Sequence, residues 1–362
     1  MKINNLKAAA AIGLSAMFVG SAAAQESVSS PVGYETISIE EQFTYVGLRL
    51  VGAPLATSTV ATTDSVSVIT IDGATLADGD VLLEVDASDD ASVGSVVEAT
   101  IAGGDITIPA SLAAQLAVGD SVTVRELQTL ASVFGDPIDG GFGADATPDA
   151  GLTGGGTIAG ADLVLVPSAD GSSFTTYWFF DGGFFDEPTW RVLNPDTGES
   201  EDIDADTIPL VYTDGVIVQN RQDNNSLVVS GAVKTTPTLP ALTGPFTYLS
   251  TIYPAGATLA STFSSTDDDG LLVSSLDESG TFGGADLVLV PTAAGFDTYW
   301  IFDGGFFGDP TWREQTTDTE FVDINGEDVS FEDVTSIIVQ NRGDAPLPVG
   351  VELAPPSFYS EL

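Results

Sequence analysis

A matched set of residues recurs in two stretches of this chain, and these are its side chains best equipped for chemistry. Trp178, Asp181, Trp190 and Arg191 lie in TTYWFFDGGFFDEPTWR, and Trp300, Asp303, Trp312 and Arg313 lie in DTYWIFDGGFFGDPTWR. Arg221 and Arg342 close two copies of IVQNR. Three kinds of chemistry could use such a set. One aspartate from each copy could share a proton and work as an acid–base dyad. An arginine clasps a carboxylate or another anion through two parallel hydrogen bonds, which lysine cannot copy. Tryptophan faces, if exposed, could stack on sugar rings while nearby carboxylates accept hydroxyl hydrogen bonds.

Each reading competes with a structural one. FFDGGF and IFDGGF are similar to the two-copy site of aspartic proteases, where a Thr or Ser follows the Asp and braces the dyad. Gly182 and Gly304 stand there instead, and Asp followed by glycines is the usual composition of a tight turn. No catalytic residue is assigned. For the arginines, an anion site would compete with 53 acidic residues. The expectation is therefore structural: the arginines tie loops to carboxylates such as Asp181 and Asp303, and breaking such a pair, if buried, costs about 3–5 kcal/mol. For the tryptophans, Tyr177 and Phe179 face one side of a strand and Trp178 and Phe180 the other. Aromatics on both faces call for a strand covered on both sides, so the rings are expected in the core. The alternative is a glycan platform built on Trp190 and Trp312 or on the paired phenylalanines. The chain has no histidine and no cysteine, which removes the Ser-His-Asp triad, thiolate nucleophiles and the usual zinc sites. A glycosidase needs only two carboxylates astride a bond, and the sequence singles out no such pair.

The elements that must hold these residues follow from the repeats. ADLVLVP occurs at Ala161 and Ala285, and TLAS at Thr129 and Thr258. All the second copies lie about 120–130 residues after the first, the signature of an internal duplication. A fainter match, Phe43-Thr44-Tyr45 with Phe246-Thr247-Tyr248, places extra material in the first copy. The expected fold is all-β, with two duplicated β-sandwich or barrel modules. The first spans residues 43–233 and carries a small inserted β subdomain at 51–124, and the second spans 243–352. Runs such as DLVLVP and SIIVQNR, bounded by Gly, Pro or Asp, read as strands. Only Ser111–Val118 suggests a helical turn. Residues 25–42 form a polar segment in which YETISIEE alternates like an edge strand. Residues 234–242 (KTTPTLPAL) read as a linker and 353–362 as a short tail.

Composition bears on address and partners. Lys2 and Lys7, the apolar run Ala8–Gly20 and Ala22-Ala23-Ala24 predict a secretory signal peptide over residues 1–24. No later segment has the length of a transmembrane helix. The net charge is −44, from nine basic and 53 acidic residues, which repels nucleic acid and acidic membranes. Calcium is the one cofactor that composition suggests, through Asp202, Asp204 and Asp206, through 267–269, and through Asp86, Asp89 and Asp90. None of these groups has the glycine and terminal glutamate of a calcium-binding helix–loop–helix, so the expectation is no cofactor.

Ala117-Val118-Gly119-Asp120, closing a Thr/Val-rich β segment, is followed by Thr129-Leu130-Ala131-Ser132 with Phe134. With its leader, the chain thereby resembles a family of secreted proteins from Verrucomicrobia-type and related bacteria. The resemblance implies a secreted β protein and supplies no site residues. The sequence-based expectation is a non-enzymatic secreted or cell-surface protein, structural or adhesive, whose partners are itself or extracellular glycans. Carbohydrate binding is the alternative.

Overall fold

The computed structural model describes residues 32–135, 151–168, 170–183, 186–221, 225–240, 242, 244–266, 272–274, 276–306, 308–317, 320–342 and 352–361. The leader at 1–24, the start of the polar segment and the acidic run 267–269 lie outside them.

The protein is all-β. β1 (Val32–Ile39), β2 (Gln42–Gly47) and β3 (Leu50–Val51) lead into β4 (Pro54–Thr63), β5 (Val68–Ile71), β6 (Gly79–Ala87), β7 (Val96–Ala102), β8 (Asp105–Thr107) and β9 (Ser121–Glu126). The last six close into a barrel in the order β4-β5-β8-β7-β6-β9. A short helix, α1 (Ala110–Ala113), precedes β9. Val60, Ile69, Leu83, Ile101, Ile106 and Val124 fill the barrel. Small barrels are filled by side chains rather than hollow, and this one does it without an aromatic ring.

The chain then returns through β10 (Gln128–Thr129) and α2 (Leu130–Phe134) to β11 (Leu163–Pro167), β12 (Phe174–Phe180), β13 (Thr189–Leu193), β14 (Ser200–Ile203), β15 (Pro209–Leu210), β16 (Gly215–Asn220) and β17 (Asn225–Val233). It continues through β18 (Phe246–Ser250), α3 (Leu259–Phe263), β19 (Ser264–Thr266), β20 (Leu272–Ser274), β21 (Leu287–Thr292), β22 (Gly295–Phe302), β23 (Thr311–Thr317), β24 (Glu320–Ile324) and β25 (Ser336–Gln340). Two six-stranded sheets result, β14-β13-β12-β11-β16-β2 and β24-β23-β22-β21-β25-β18. Strands that carry matching sequence hold matching places in the two orders. The TLAS blocks start helices, which strand-like patterning did not predict. Thr129 and Thr258 are N-caps in capping boxes with Ser132 and Ser261, satisfying donors at each helix start.

The sheets are not independent modules. Val164, Tyr177, Phe179 and Trp190 of the first and Val288, Tyr299, Ile301 and Trp312 of the second belong to one buried cluster. Where they meet, the contacts are reciprocal. Tyr45 packs on Phe296 with ring centroids 5.3 Å apart, and its counterpart Tyr248 packs on Phe174 at 5.2 Å. Gly47 and Gly215 let the backbones close up. A Cβ on Gly47 would lie 1.9 Å from the Thr335 carbonyl oxygen, and one on Gly215 would lie 2.0 Å from Ser336 Oγ.

The segments read as linker and tail are built into the body. Lys234 and Thr238 are buried, and Thr238 exchanges backbone hydrogen bonds of 3.0 and 2.7 Å with Leu353. Prolines suit an extended path laid against other backbone as well as they suit a free spacer, so composition misleads here. β1 pairs with β17 from Val32↔Ala232 to Ile39↔Asn225, at the edge of a sheet ordered β1-β17-β3. Ile37 and Ile39 point into the shared core, while Val32 and Tyr34 are 78% and 81% exposed. No helix among the described residues is long and apolar enough to cross a membrane.

Candidate functional site

All four tryptophans are buried, none more than 3% exposed. In the first sheet, Phe179 and Trp190 pair across β12 and β13 and pack edge to face at 5.8 Å on the shared core. Trp190 donates its ring N–H to the Gly135 carbonyl at 2.9 Å, and Trp312 donates to Ser264 Oγ at 3.2 Å. On the opposite face, Trp178 and Phe180 form a satellite cluster with Ala161 and Leu163. Trp300 does the same with Ala285 and Leu287, and Phe282, Phe302 and Phe321 pack against that cluster. The strand is covered on both sides, as four consecutive large side chains require. A platform on Trp190 and Trp312 is therefore excluded. Of the paired phenylalanines, 184, 185 and 307 lie outside the described residues, and Phe306 is 95% exposed.

The arginines do not pair with Asp181 and Asp303, and that expectation is corrected. Arg191 stands between Trp178 and Asp202 in the register of three adjacent strands. Its Nε donates to Asp202 Oδ1 at 2.7 Å while its guanidinium lies 3.6 Å from the Phe180 ring centroid. Arg313 repeats this with Asp323 at 2.6 Å and Phe302 at 3.7 Å. The cross-strand partner is nearer than any loop, so it captures the guanidinium. Asp202 and Asp323 remain mostly exposed, so the ion pair contributes about 0.2–1 kcal/mol and the ring contact about 0.5–1 kcal/mol. Arg221 donates to the Ile158 carbonyl and to Gln219. Arg342 donates to the Phe282 carbonyl at 2.9 Å and to Gln340 at 3.1 Å.

Asp181 and Asp303 each cap their own glycine turn, accepting from Gly183 N at 3.0 Å and Gly305 N at 2.8 Å. Gly182 and Gly304 have φ of 80° and 76°, a region that favours glycine. Among the described residues no hydrogen bond joins the two aspartates, and nothing assembles them into a dyad.

The sequence reading passed over a second aspartate in each copy. Asp162 and Asp286, within ADLVLVP, are 2% and 0% exposed. Asp162 accepts from Thr153 N at 2.7 Å and Arg221 N at 2.9 Å. Asp286 accepts from Asp277 N at 3.0 Å and Arg342 N at 2.8 Å. Each carboxylate clamps a loop to the end of IVQNR. Its placement at the head of an apolar strand, in both copies, was the signal.

A cluster of buried charges joins the barrel to the sheets. Glu84 on β6 receives the Tyr212 hydroxyl at 2.6 Å and Lys234 Nζ at 3.1 Å. Arg125 Nε lies 2.8 Å from its Oε1 as an ion pair, without the alignment of a hydrogen bond. Burial alone would raise the Glu84 carboxyl, but Lys234, Arg125 and Tyr212 outweigh it and hold it below the usual range. Burial pushes the Lys234 ammonium down against the pull of Glu84. This cluster is filled by its own partners.

An open cleft of about 380 Å³ lies where barrel, first sheet and second sheet meet. Val166, Pro209, Val211, Phe246 and Tyr248 supply apolar wall, and Glu98 of β7 and Asp214 supply carboxylates. Asp214 Oδ1 accepts from the neighbouring Thr213 hydroxyl at 3.1 Å. Burial and the Glu98 charge push its carboxyl up toward about 6, against that hydrogen bond. Asp214 is nevertheless exposed, so water offsets part of this rise. Among the described residues no group of three or more acidic side chains is gathered around a metal position. Asp202 is committed to Arg191, and Asp204 accepts from Asp206 N.

Comparison with protein-family models, curated proteins and solved structures finds no match.

Proposed function

We propose that this chain is a non-enzymatic, secreted or cell-surface structural protein that associates with copies of itself. One observation carries the reading: the tryptophans present in both copies are buried, and the arginines present in both copies are tied to the chain's own carboxylates, carbonyls and rings. A catalytic or ligand-gripping role would leave at least one copy's set facing a cleft. The two sheets instead use their sets alike, as a scaffold does when each half must hold itself together. The leader-like N-terminus and the acidic composition support an extracellular address.

Association would run along β1. Among the described residues its outer edge has no partner strand, and Val32, Tyr34 and the adjacent Val228 present exposed apolar surface. Exposed edges of this type accept another strand. Sedimentation velocity across a concentration series tests the reading. Assembly that grows with concentration is expected, together with its loss in a Tyr34→Glu/Val228→Glu variant. A monomer at every concentration would end the self-association proposal.

A further inference from the structure

The cleft between barrel and sheets brings carboxylates and an apolar wall together. Its volume of about 380 Å³ lies within the range of small-ligand sites. Its lining mixes apolar side chains with the hydroxyls of Ser168, Thr213, Thr247 and Tyr248, its charged lining groups are Glu98 and Asp214, and no lining residue is basic. The cations that form ion pairs among the described residues are committed elsewhere: Arg49 to Glu35, Arg125 and Lys234 to Glu84, Arg191 to Asp202, Arg313 to Asp323. Neither Glu98 nor Asp214 has an ion-pair partner among the described residues. Asp214 has only a hydroxyl beside it, so the cleft is an anionic cavity without a counterion of its own. Calcium requires six to eight oxygen ligands and favours several carboxylates, whereas this lining offers two carboxylates and scattered hydroxyls, and no group of three or more acidic side chains is gathered around a metal position among the described residues. That combination fits an organic cation: ammonium groups for the carboxylates and a methylene stem for the walls.

We propose that the cleft binds a short aliphatic diamine, with one ammonium on Asp214, the other on Glu98, and the methylenes against Val166, Pro209 and Phe246. Thr213 orients the Asp214 carboxylate through its hydroxyl. The field of a chain with net charge −44 concentrates cations near the protein but does not choose among them. Selection falls to the two carboxylates and the apolar wall. This site is independent of the β1 edge, so it stands or falls separately from self-association.

Isothermal titration of the full chain with 1,4-diaminobutane tests the proposal. Saturable binding at one site is expected, with weaker binding of 1-aminobutane and none of 1-butanol. Glu98→Gln and Asp214→Asn should each weaken diaminobutane binding about tenfold or more. Asp105→Asn, on the barrel away from the cleft, should leave it unchanged. Glu98 is exposed on its strand, so its variant carries the test even if Asp214→Asn disturbs the turn. Absence of saturable binding would overturn the proposal. So would equal losses in Asp105→Asn and Glu98→Gln, which would reduce the effect to diffuse charge.

Discussion

Replacing Glu84 with glutamine should be among the most damaging single changes available, although it alters one atom's charge and almost no volume. Glu84 and Lys234 are each 1% exposed. Without the carboxylate, the Lys234 ammonium keeps the Thr236 hydroxyl and the pull of the Asp86 carboxyl, and Arg125 keeps a long contact to the Gly52 carbonyl at 3.4 Å. Stranding one partner of a buried pair costs about 3–5 kcal/mol. Neutralising the lysine sets the ceiling. Its ordinary pKa of 10.5 and about 1.36 kcal/mol per unit give roughly 5 kcal/mol at pH 7. Lys234→Met should cost less, about 1–3 kcal/mol, because Glu84 retains Arg125 and Tyr212. The double variant removes the stranded ammonium, so it should fall short of the sum by about 2 kcal/mol. Urea unfolding reads this out. The tryptophans report the sheets, the barrel has none, and circular dichroism reports both. With a slope of about 3 kcal/mol/M, Glu84→Gln should lower the midpoint by about 1–1.7 M in both signals. A loss below about 1 kcal/mol, or strict additivity in the double variant, would refute the reasoning.

Three further outcomes follow from named contacts. Gly47→Ala should cost about 2 kcal/mol or more, since its methyl meets a backbone carbonyl that cannot step aside. Gly215→Ala meets Ser336 Oγ instead, a buried hydroxyl with no hydrogen-bond partner, so adding Ser336→Ala should recover most of its loss in thermal melts. Asp162→Asn and Asp286→Asn should each cost about 1.5–3 kcal/mol, because each turns an amide donor toward a backbone N–H; a much smaller loss in either would break the equivalence of the two clamps. Asp214 has a raised carboxyl, so the folded chain holds its proton more tightly than the unfolded chain. That contribution is complete below about pH 4 and is lost as pH rises through about 6. Asp214→Asn should therefore raise the melting temperature at pH 8 and lose that gain at pH 4, and the opposite trend would contradict a raised Asp214 carboxyl.

The strands and the paired sets were legible because they are local. β12 declares itself through four large residues that need cover on both faces, and the inserted barrel through alternating β-branched runs. The partners were less legible. Which carboxylate takes Arg191 depends on the register of β13 against β14, which places Asp202 opposite and leaves Asp181 to its own turn. The shared core was hidden for a similar reason. Tyr45 meets Phe296 and Gly47 meets Thr335 across most of the chain's length, and nothing in either segment names its distant neighbour. KTTPTLPAL has the composition of a spacer, yet Thr238 and Leu353 bind each other's backbones. The cleft carboxylates Glu98 and Asp214 have no repeat partner to flag them, and only the docking of the barrel on the sheets brings them together.

The central claim is that the large rings and guanidinium groups present in both copies fasten the interior. Each buried tryptophan side chain removes about 150–250 Å² from water, worth roughly 4–6 kcal/mol before entropy is counted. Acrylamide quenching of the folded protein's tryptophan emission tests this most directly. The account predicts blue-shifted emission, near-complete protection from the quencher and no response to soluble glycans. Red-shifted emission that acrylamide quenches freely, or that glycans shift, would contradict it.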